Sequence, residues 1–475
     1  MYKKTNQLSI DDFVFPYGTL KQDNRWVRLA SLIDWERVEC EYAEHFNNNG
    51  APAHPARMAL GALIAKQMLG CSDRELVCHV EENPYLQFFL GMKEYLEVCP
   101  FGASTLVAFR CRFSEEDIER INGWVIDAAA ALVTDESDDD GGGGATTVCL
   151  DATVAPSNIR YPTDTSLLNE AREKCEDIID SLHAQTGGKK PRTYRKCARK
   201  EFLNYSKSKR KTAKATRKAR GKQLGYVKRD LAHIKSLLEK GAVPDWKDWA
   251  LLDTIGTLYA QQLYLHTERV NTVPDRIVSI EQPWVRPIVR GKQTRKTEFG
   301  AKVHVMSEGG YVRIVCTSFD AFNEAEGLIE ALEDFKGRMG SYPERVCVDK
   351  IYRNRANLAW LKERDIAISG PKLGRPPKDS SLTKEQKKQE YRDICERNVV
   401  EGVFGTAKTA YGMDPVMTRL ENTTRTVIAL ALLVFNLKKL LKVSLRLFPE
   451  AAIWILCRFY DLCRGARQRF LLTAG

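Results

Sequence analysis

Apolar residues between positions 30 and 130 recur at three- and four-residue spacing, the repeat of helices with one buried side. His54-Pro55 opens a run with Met58, Leu60, Leu63, Ile64 and Met68 in phase, and Gly70 ends it. Ser72-Asp-Arg-Glu75 has the spacing of a capping box and starts the next helix through Leu76, Val77 and Val80. Helix, glycine turn, helix is an outline that serves DNA binding, dimerisation and plain core packing alike. Pro84-Tyr85-Leu86 interrupts the pattern, Phe88-Phe89-Leu90-Gly91 follows, and Ser104 is placed to cap a helix bearing Arg110 and Arg112.

From Thr134 the periodicity gives way to Asp-Glu-Ser-Asp-Asp-Asp followed by four glycines, which reads as a flexible acidic linker over 134–145. A tether of that composition holds no ligand rigidly, so its acids are not read as a metal site. The period then changes to that of a strand: Thr146-Thr-Val-Cys-Leu-Asp151-Ala-Thr-Val is a β-rich run broken by one acid. Residues 164–270 turn helical. Ala301–Met306 and Tyr311–Cys316 flank Glu308-Gly-Gly310 as a hairpin. A helix over 324–335 (Leu328, Ile329, Leu332), a strand Arg345–Asp349, a helix 355–364 and a strand 366–370 follow. Residues 371–388 read as a polar loop; helices are expected at 391–410, 423–441 and around 452–462.

This order predicts an α/β protein, a mixed sheet flanked by helices, interrupted by a helical insertion and preceded by an all-helical domain. The expected divisions are a helical N-terminal domain over 1–133, the linker 134–145, and a sheet domain from 146–164 and 298–440. To these add the basic insertion 165–297 and a helical tail 441–475.

Length adds that 475 residues exceed one ordinary core. The longest apolar run, Val427–Phe435, is too short to cross a bilayer and reads as a buried helix. The first residues lack the apolar centre of a signal peptide. Thirteen cysteines are scattered singly with no Cys-x-x-Cys, and Cys71/Cys78 and Cys457/Cys463 lack zinc spacing. Free thiols in a reducing cytoplasm are expected.

Charge changes the picture more. The net charge is +11, yet Lys189–Arg229 alone holds 18 Lys or Arg and one acid, Glu201, leaving the remainder near −6. A block of this kind meets a polyanion, most commonly nucleic acid, the alternative being a solvated insertion without a partner. Lys209, Arg210 and Lys211 at its centre are candidate DNA contacts.

Asp151 and Asp349 each stand in or at the end of an apolar β run. Either alone reads as well as a turn-starting Asp; two matched patterns beside a basic block point to chemistry. A third acid lies on a helix, Arg397-Asn-Val-Val-Glu401-Gly-Val-Phe-Gly-Thr-Ala-Lys408. At about 100° per residue, Arg397, Glu401 and Lys408 share a face. A solvated ion-pair ladder would look the same, but Gly402 and Gly405 are poor choices for one and suit close approach to a backbone or ligand. Three carboxylates suit phosphodiester chemistry with two Mg²⁺ ions roughly 4 Å apart, because Mg²⁺ prefers oxygen ligands.

These residues carry a resemblance to bacterial insertion-sequence transposases with a DDE site on an RNase H-like fold, over most of the chain. His54-Pro55-Ala-Arg-Met through Asn83-Pro84-Tyr85 with Phe89-Leu90-Gly91 resembles their helical N-terminal domain. Leu150-Asp151-Ala-Thr-Val-Ala-Pro with Ile159-Arg-Tyr-Pro-Thr-Asp164 resembles the first-Asp motif, and Val348-Asp349-Lys-Ile-Tyr-Arg-Asn the second. Pro371-Lys-Leu-Gly-Arg-Pro resembles the segment that follows, and Arg397, Glu401 and Lys408 fall in register with a Tyr-x2-Arg-x3-Glu-x6-Lys signature. The signature Tyr falls on Ile394, with Tyr391 one turn earlier, and Ile351 stands where many relatives have Gly. Neither departure touches an acid.

The resemblance implies an RNase H-like sheet, with Asp151, Asp349 and Glu401 as catalytic residues and ligands of two Mg²⁺ ions, Mn²⁺ substituting. It implies double-stranded DNA as partner, terminal inverted repeats and target alike, and a homodimer on DNA. Arg397 and Lys408 would grip phosphates; the insertion resembles inserts that grip DNA, and Trp284 in Gln282-Pro283-Trp284 is a candidate to stack on a flipped base, against the plainer reading of a packed Trp. His304 is expected to be structural. A metal-dependent nuclease without strand transfer fits the same acids. A domesticated, non-catalytic DNA-binding protein predicts a lost acid, and none is lost.

Overall fold

Helices Arg25–Ser31, Trp35–Glu44, Ala56–Leu69, Asp73–Glu82, Pro84–Phe89, Thr105–Arg112 and Glu115–Thr134 (α1 to α7) open the fold. The structure is a computed structural model that describes residues 10–16, 18–47, 52–134, 147–289, 297–370 and 384–444. Most of the linker, residues 371–383 and the tail helix around 452–462 lie outside the described residues.

The pattern between 54 and 82 forms as the sequence predicts, with one difference. Gly70 takes the left-handed conformation that stops α3, and Ser72 and Glu75 close the capping box of α4. But every residue of α3 from Ala56 to Ala65 is buried, so it is the central rod of the helical region. Arg57 is enclosed with it, donating to the carbonyls of Phe88 (2.8 Å) and Phe89 (3.0 Å). The next helix corrects an expectation: Ser104 stands at the start of α6, yet its side chain makes no capping bond. Arg110 is committed to a bidentate pair with Asp73 (3.0 and 2.6 Å), and Arg112 lies over Phe46 at 4.2 Å.

The sheet follows. Its strands are β1 (Thr147–Pro156), β2 (Arg286–Val289), β3 (Thr297–Glu308), β4 (Tyr311–Ser318), β5 (Arg345–Cys347) and β6 (Ala367–Ile368). β1 pairs antiparallel with β3 and parallel with β5, and β5 pairs parallel with β6. β4 and β2 share the far edge of β3, both antiparallel. Four antiparallel strands, β1 to β4, continued by the parallel β5 and β6, with helices on both faces, form the RNase H-like mixed sheet that was expected. Gly300 is required where β3 leaves β1, since a Cβ there would lie 2.0 Å from the Ala155 carbonyl oxygen.

Alternation along the strands divides the side chains between two cores. Val148, Leu150, Met306, Val346 and Val348 meet helix α12 (Leu328–Met339) and helix α13 (Arg355–Glu363). Cys149, Cys347, Val303 and Val305 point the other way, towards α14 (Lys384–Ala410) and a helix over 421–444, α15. α14 starts at Lys384, so residues 384–388, expected as loop, are helical; Lys, Glu and Gln are strong helix formers. α15 contains the apolar run from Val427, buried as expected, and the N-terminal helices join the same core.

Between β1 and β2 the chain forms α8 (Asp164–Thr186), α9 (Arg195–Lys207), α10 (Ala213–Glu239) and α11 (Trp246–Thr267). They bury a core of their own, with Leu168, Cys175, Ile179, Val227, Ile234 and Leu258 at its centre. Asp164 ties them together, accepting from Arg220 (3.0 Å), Arg276 (2.6 Å) and Gln262 (3.2 Å). β2 is a strand the pattern did not show, because it is four residues long and contains Pro287. No described helix is long and apolar enough to cross a membrane.

Candidate active site

The parallel register Cys149↔Cys347 sets the geometry. Two residues further along each chain, on the same face by alternation, come Asp151 and Asp349. The matched strand-plus-acid patterns of the sequence are therefore neighbours in space. Asp151 is still within β1, opposite Val305 of β3. Asp349 lies just past β5 and starts a 3-10 turn, its carboxylate accepting from the Lys350 amide at 2.7 Å.

α14 packs over this face, against β1 and β5. Val400, Val403, Phe404 and Ala407 are its buried side. A bidentate pair from Arg345 of β5 to Asp393 of α14 (2.7 and 2.5 Å) fixes the helix to the strand. Arg397 and Glu401 then lie at the rim beside the acids. A guanidinium nitrogen of Arg397 stands 3.7 Å from the Asp349 carboxylate. Glu401 is exposed and makes no hydrogen bond or ion pair among the described residues, and Lys408 lies about two turns beyond, half-buried.

The electrostatics single out Asp151. Burial pushes its carboxyl up to about 6; the nearby charges of Glu324 and Glu401 push the same way, and the Ala152 amide and Arg397 oppose them. The site thus holds a surplus of negative charge on oxygen ligands, the condition a hard divalent cation relieves. Among the described residues, however, no group of three or more His, Cys, Asp or Glu stands close enough together to hold a metal ion. Asp349 is turned towards its own 3-10 turn and Arg397. The donor types fit Mg²⁺, with Asp151, Asp349 and Glu401 around one rim.

Glu324 escaped the sequence reading. It opens a 3-10 turn ahead of α12, is held by Lys302 at 2.8 Å, and acts on Asp151 more strongly than Glu401 does. Nothing in its local sequence marks it. Beneath it, His304 is fully buried and its Nε2 meets the Tyr352 hydroxyl at 3.0 Å, in the structural role expected for it. Asn357 donates to the carbonyls of Ala325 and Tyr352 (2.8 and 2.9 Å), clamping the Glu324 turn to the turn after Asp349.

The other candidates fall elsewhere. Lys209, Arg210 and Lys211 are exposed together in the α9–α10 turn, without an acidic partner among the described residues; Lys211 lies over Tyr205 at 5.5 Å. Trp284 is half-buried, packs its ring against the shared core and encloses its Nε1. The insertion displays other aromatic rings to solvent, among them Trp246 and Trp249, 76% and 51% exposed. A Cβ on Gly402 or Gly405 would meet nothing within 4 Å, so no neighbouring backbone explains them. Ile394 and Ile351 are both exposed.

Comparison with known proteins bears on this arrangement. A family model described as a transposase DDE domain matches residues 346–438, which include Asp349, Arg397, Glu401 and Lys408. A second, described as a transposase domain (DUF772), matches residues 16–112. Asp151 lies outside both spans. An uncharacterised protein, ORF8 in the nfe locus of Rhizobium meliloti, is 31% identical over 145 residues, covering 30% of this chain and 68% of the relative. No solved structure matches the chain.

Proposed function

The chain belongs to the insertion-sequence DDE transposases, a family that acts on DNA, and from that premise we propose that Asp151, Asp349 and Glu401 form the active centre that cuts and joins DNA at the element's own ends. The observation that carries this is the register of β1 and β5, which brings two acids from distant parts of the chain to one level under a helix bearing the third.

Asp151, Asp349 and Glu401 would hold two Mg²⁺ ions, or Mn²⁺, which supply activation of the attacking water or 3′-hydroxyl and stabilise the leaving oxygen. The chain's own residues bind and orient the substrate. Arg397 balances the acids and, with Lys408, grips phosphates flanking the cut. The bare surface at Gly402 and Gly405 lets a DNA backbone approach α14. Lys209, Arg210 and Lys211 present uncompensated charge to phosphates further along the duplex. Terminal inverted repeats are bound by a homodimer, whose two-fold axis matches a pair of inverted ends.

The test is incubation of labelled end DNA, its sequence read from the DNA flanking the gene, with the full chain and Mg²⁺ or Mn²⁺. Metal-dependent nicks at the repeat tip together with joined products are expected. Nicks without joined products would mean a nuclease, and tight binding without cleavage a DNA-binding protein that has lost catalysis.

A further inference from the structure

The ends of β5 and β6 and the first half of α14 enclose a cavity of about 380 Å³ beside Asp349. Val348, Ser369 and Ile394 supply its uncharged lining; Lys350, Arg353 and Arg397 bring cations, Glu390 and Asp393 carboxylates. Asp393 is already neutralised by Arg345, and Arg397 stands against Asp349. Arg353 is different. It is only 9% exposed, one of its N–H groups donates to the Ser369 carbonyl, and its enclosed Nε–H meets no acceptor. No carboxylate pairs with it among the described residues. The backbone bends over it at Gly370, in the left-handed region (φ +89°), where a Cβ would lie 3.6 Å from the Arg353 Cδ.

A guanidinium held out of water without a counter-charge is costly, and a buried charge is ordinarily paired. Here the missing charge is an anion facing a cavity that opens next to the cutting site. Arg presents a planar fork that matches phosphate oxygens, and Lys350 stands exposed at the rim as a second cation. We propose that this cavity is a phosphate site in which Arg353, with Lys350, binds one backbone phosphodiester of the DNA strand lying across Asp349, next to the bond that is cut. The site rests on the transposase reading and adds a contact to it: it fixes where the strand lies relative to Asp349.

The test measures binding of end DNA by the full chain in metal-free buffer, with methylphosphonates replacing one phosphate at a time. Wild type is expected to lose about tenfold in affinity at one position beside the cut, the scale of a charged hydrogen bond. Arg353→Gln should lose about tenfold on unmodified DNA and nothing further at that position, while other positions keep their effects. Arg353→Lys should recover part of the loss. If Arg353→Gln does not fold, Lys350→Gln must show the same coupling. Losses that multiply independently at every position would overturn the phosphate site and leave the transposase reading intact. Wild type that neither binds nor cleaves end DNA would overturn both.

Discussion

The N-terminal helices and the helical insertion are both all-helical additions to one sheet, and they attach in opposite ways. α1 to α7 merge their apolar side chains with the α14 face of the sheet and with α15 into a single core. The insertion's helices α8–α11 keep a separate core and display their charge to solvent. The clearest punctuation in the sequence, the acidic glycine stretch at 134–145, falls between two regions that share a core. The insertion is entered and left with no such signal. Composition reports how a segment meets water; it does not report which apolar faces meet each other.

That contrast can be broken deliberately, and the largest effect is expected inside the shared core. Asn436 of α15 is fully buried: it accepts from the Val312 amide (3.0 Å) and donates to the Val312 carbonyl (2.8 Å) and to Asn122 of α7 (2.7 Å). Asn436→Ala strands buried polar groups on two other elements, the Val312 amide of β4 and the Asn122 side chain of α7, so a loss of about 3 kcal/mol is expected from equilibrium denaturation. N-terminal helices and sheet should unfold in one transition; separate transitions would mean the core is not shared.

A second probe is pH. Glu119 of α7 accepts from the Ile314 amide of β4 at 3.1 Å, and burial pushes its carboxyl up to about 7 from an ordinary 4.5. The folded state therefore holds this proton more tightly than the unfolded chain. Its contribution is complete below the ordinary value and is lost as pH rises through about 7. Stability should fall by roughly 2–3 kcal/mol between about pH 4.5 and 8, and Glu119→Gln should flatten that fall. An unaltered pH profile in the variant would remove Glu119 from the account.

On the insertion side, Asp164→Ala leaves Arg220 and Arg276 without their carboxylate. The expected cost is about 1–2 kcal/mol, confined to α8–α11. Hydrogen exchange should quicken there and leave β1–β5 protected. The smallest effect on stability is expected from Lys209→Gln, Arg210→Gln and Lys211→Gln together. Folding should be unchanged, while DNA binding weakens and its slope against log salt shrinks by about 2–3. An unchanged slope would move DNA away from the α9–α10 turn.

The sequence made the two strand-borne acids and the helix-borne one legible because each depends on local periodicity: an acid in an alternating run, and Arg397, Glu401 and Lys408 spaced along one helix face. What stayed hidden depends on contacts between distant segments. Glu324 reads as an ordinary helix-start acid until Lys302 and the Asn357 clamp hold it near Asp151. Arg353 is one more basic residue after Asp349 until Ser369 and Gly370 close over it. α3 shows an apolar side in sequence, and only the surrounding bundle buries it all round.

The central claim is that Asp151, Asp349 and Glu401 work as one centre. The most direct measurement is the rate of metal-dependent end cleavage by Asp151→Asn, Asp349→Asn and Glu401→Gln, each beside its affinity for the same DNA without metal. The account predicts that each substitution slows cleavage about a thousandfold or more, the scale seen when a group acting in the transition state is removed, while metal-free binding stays within about threefold of wild type. A variant that still cleaves within about tenfold of wild type would contradict it and take that acid out of the active centre.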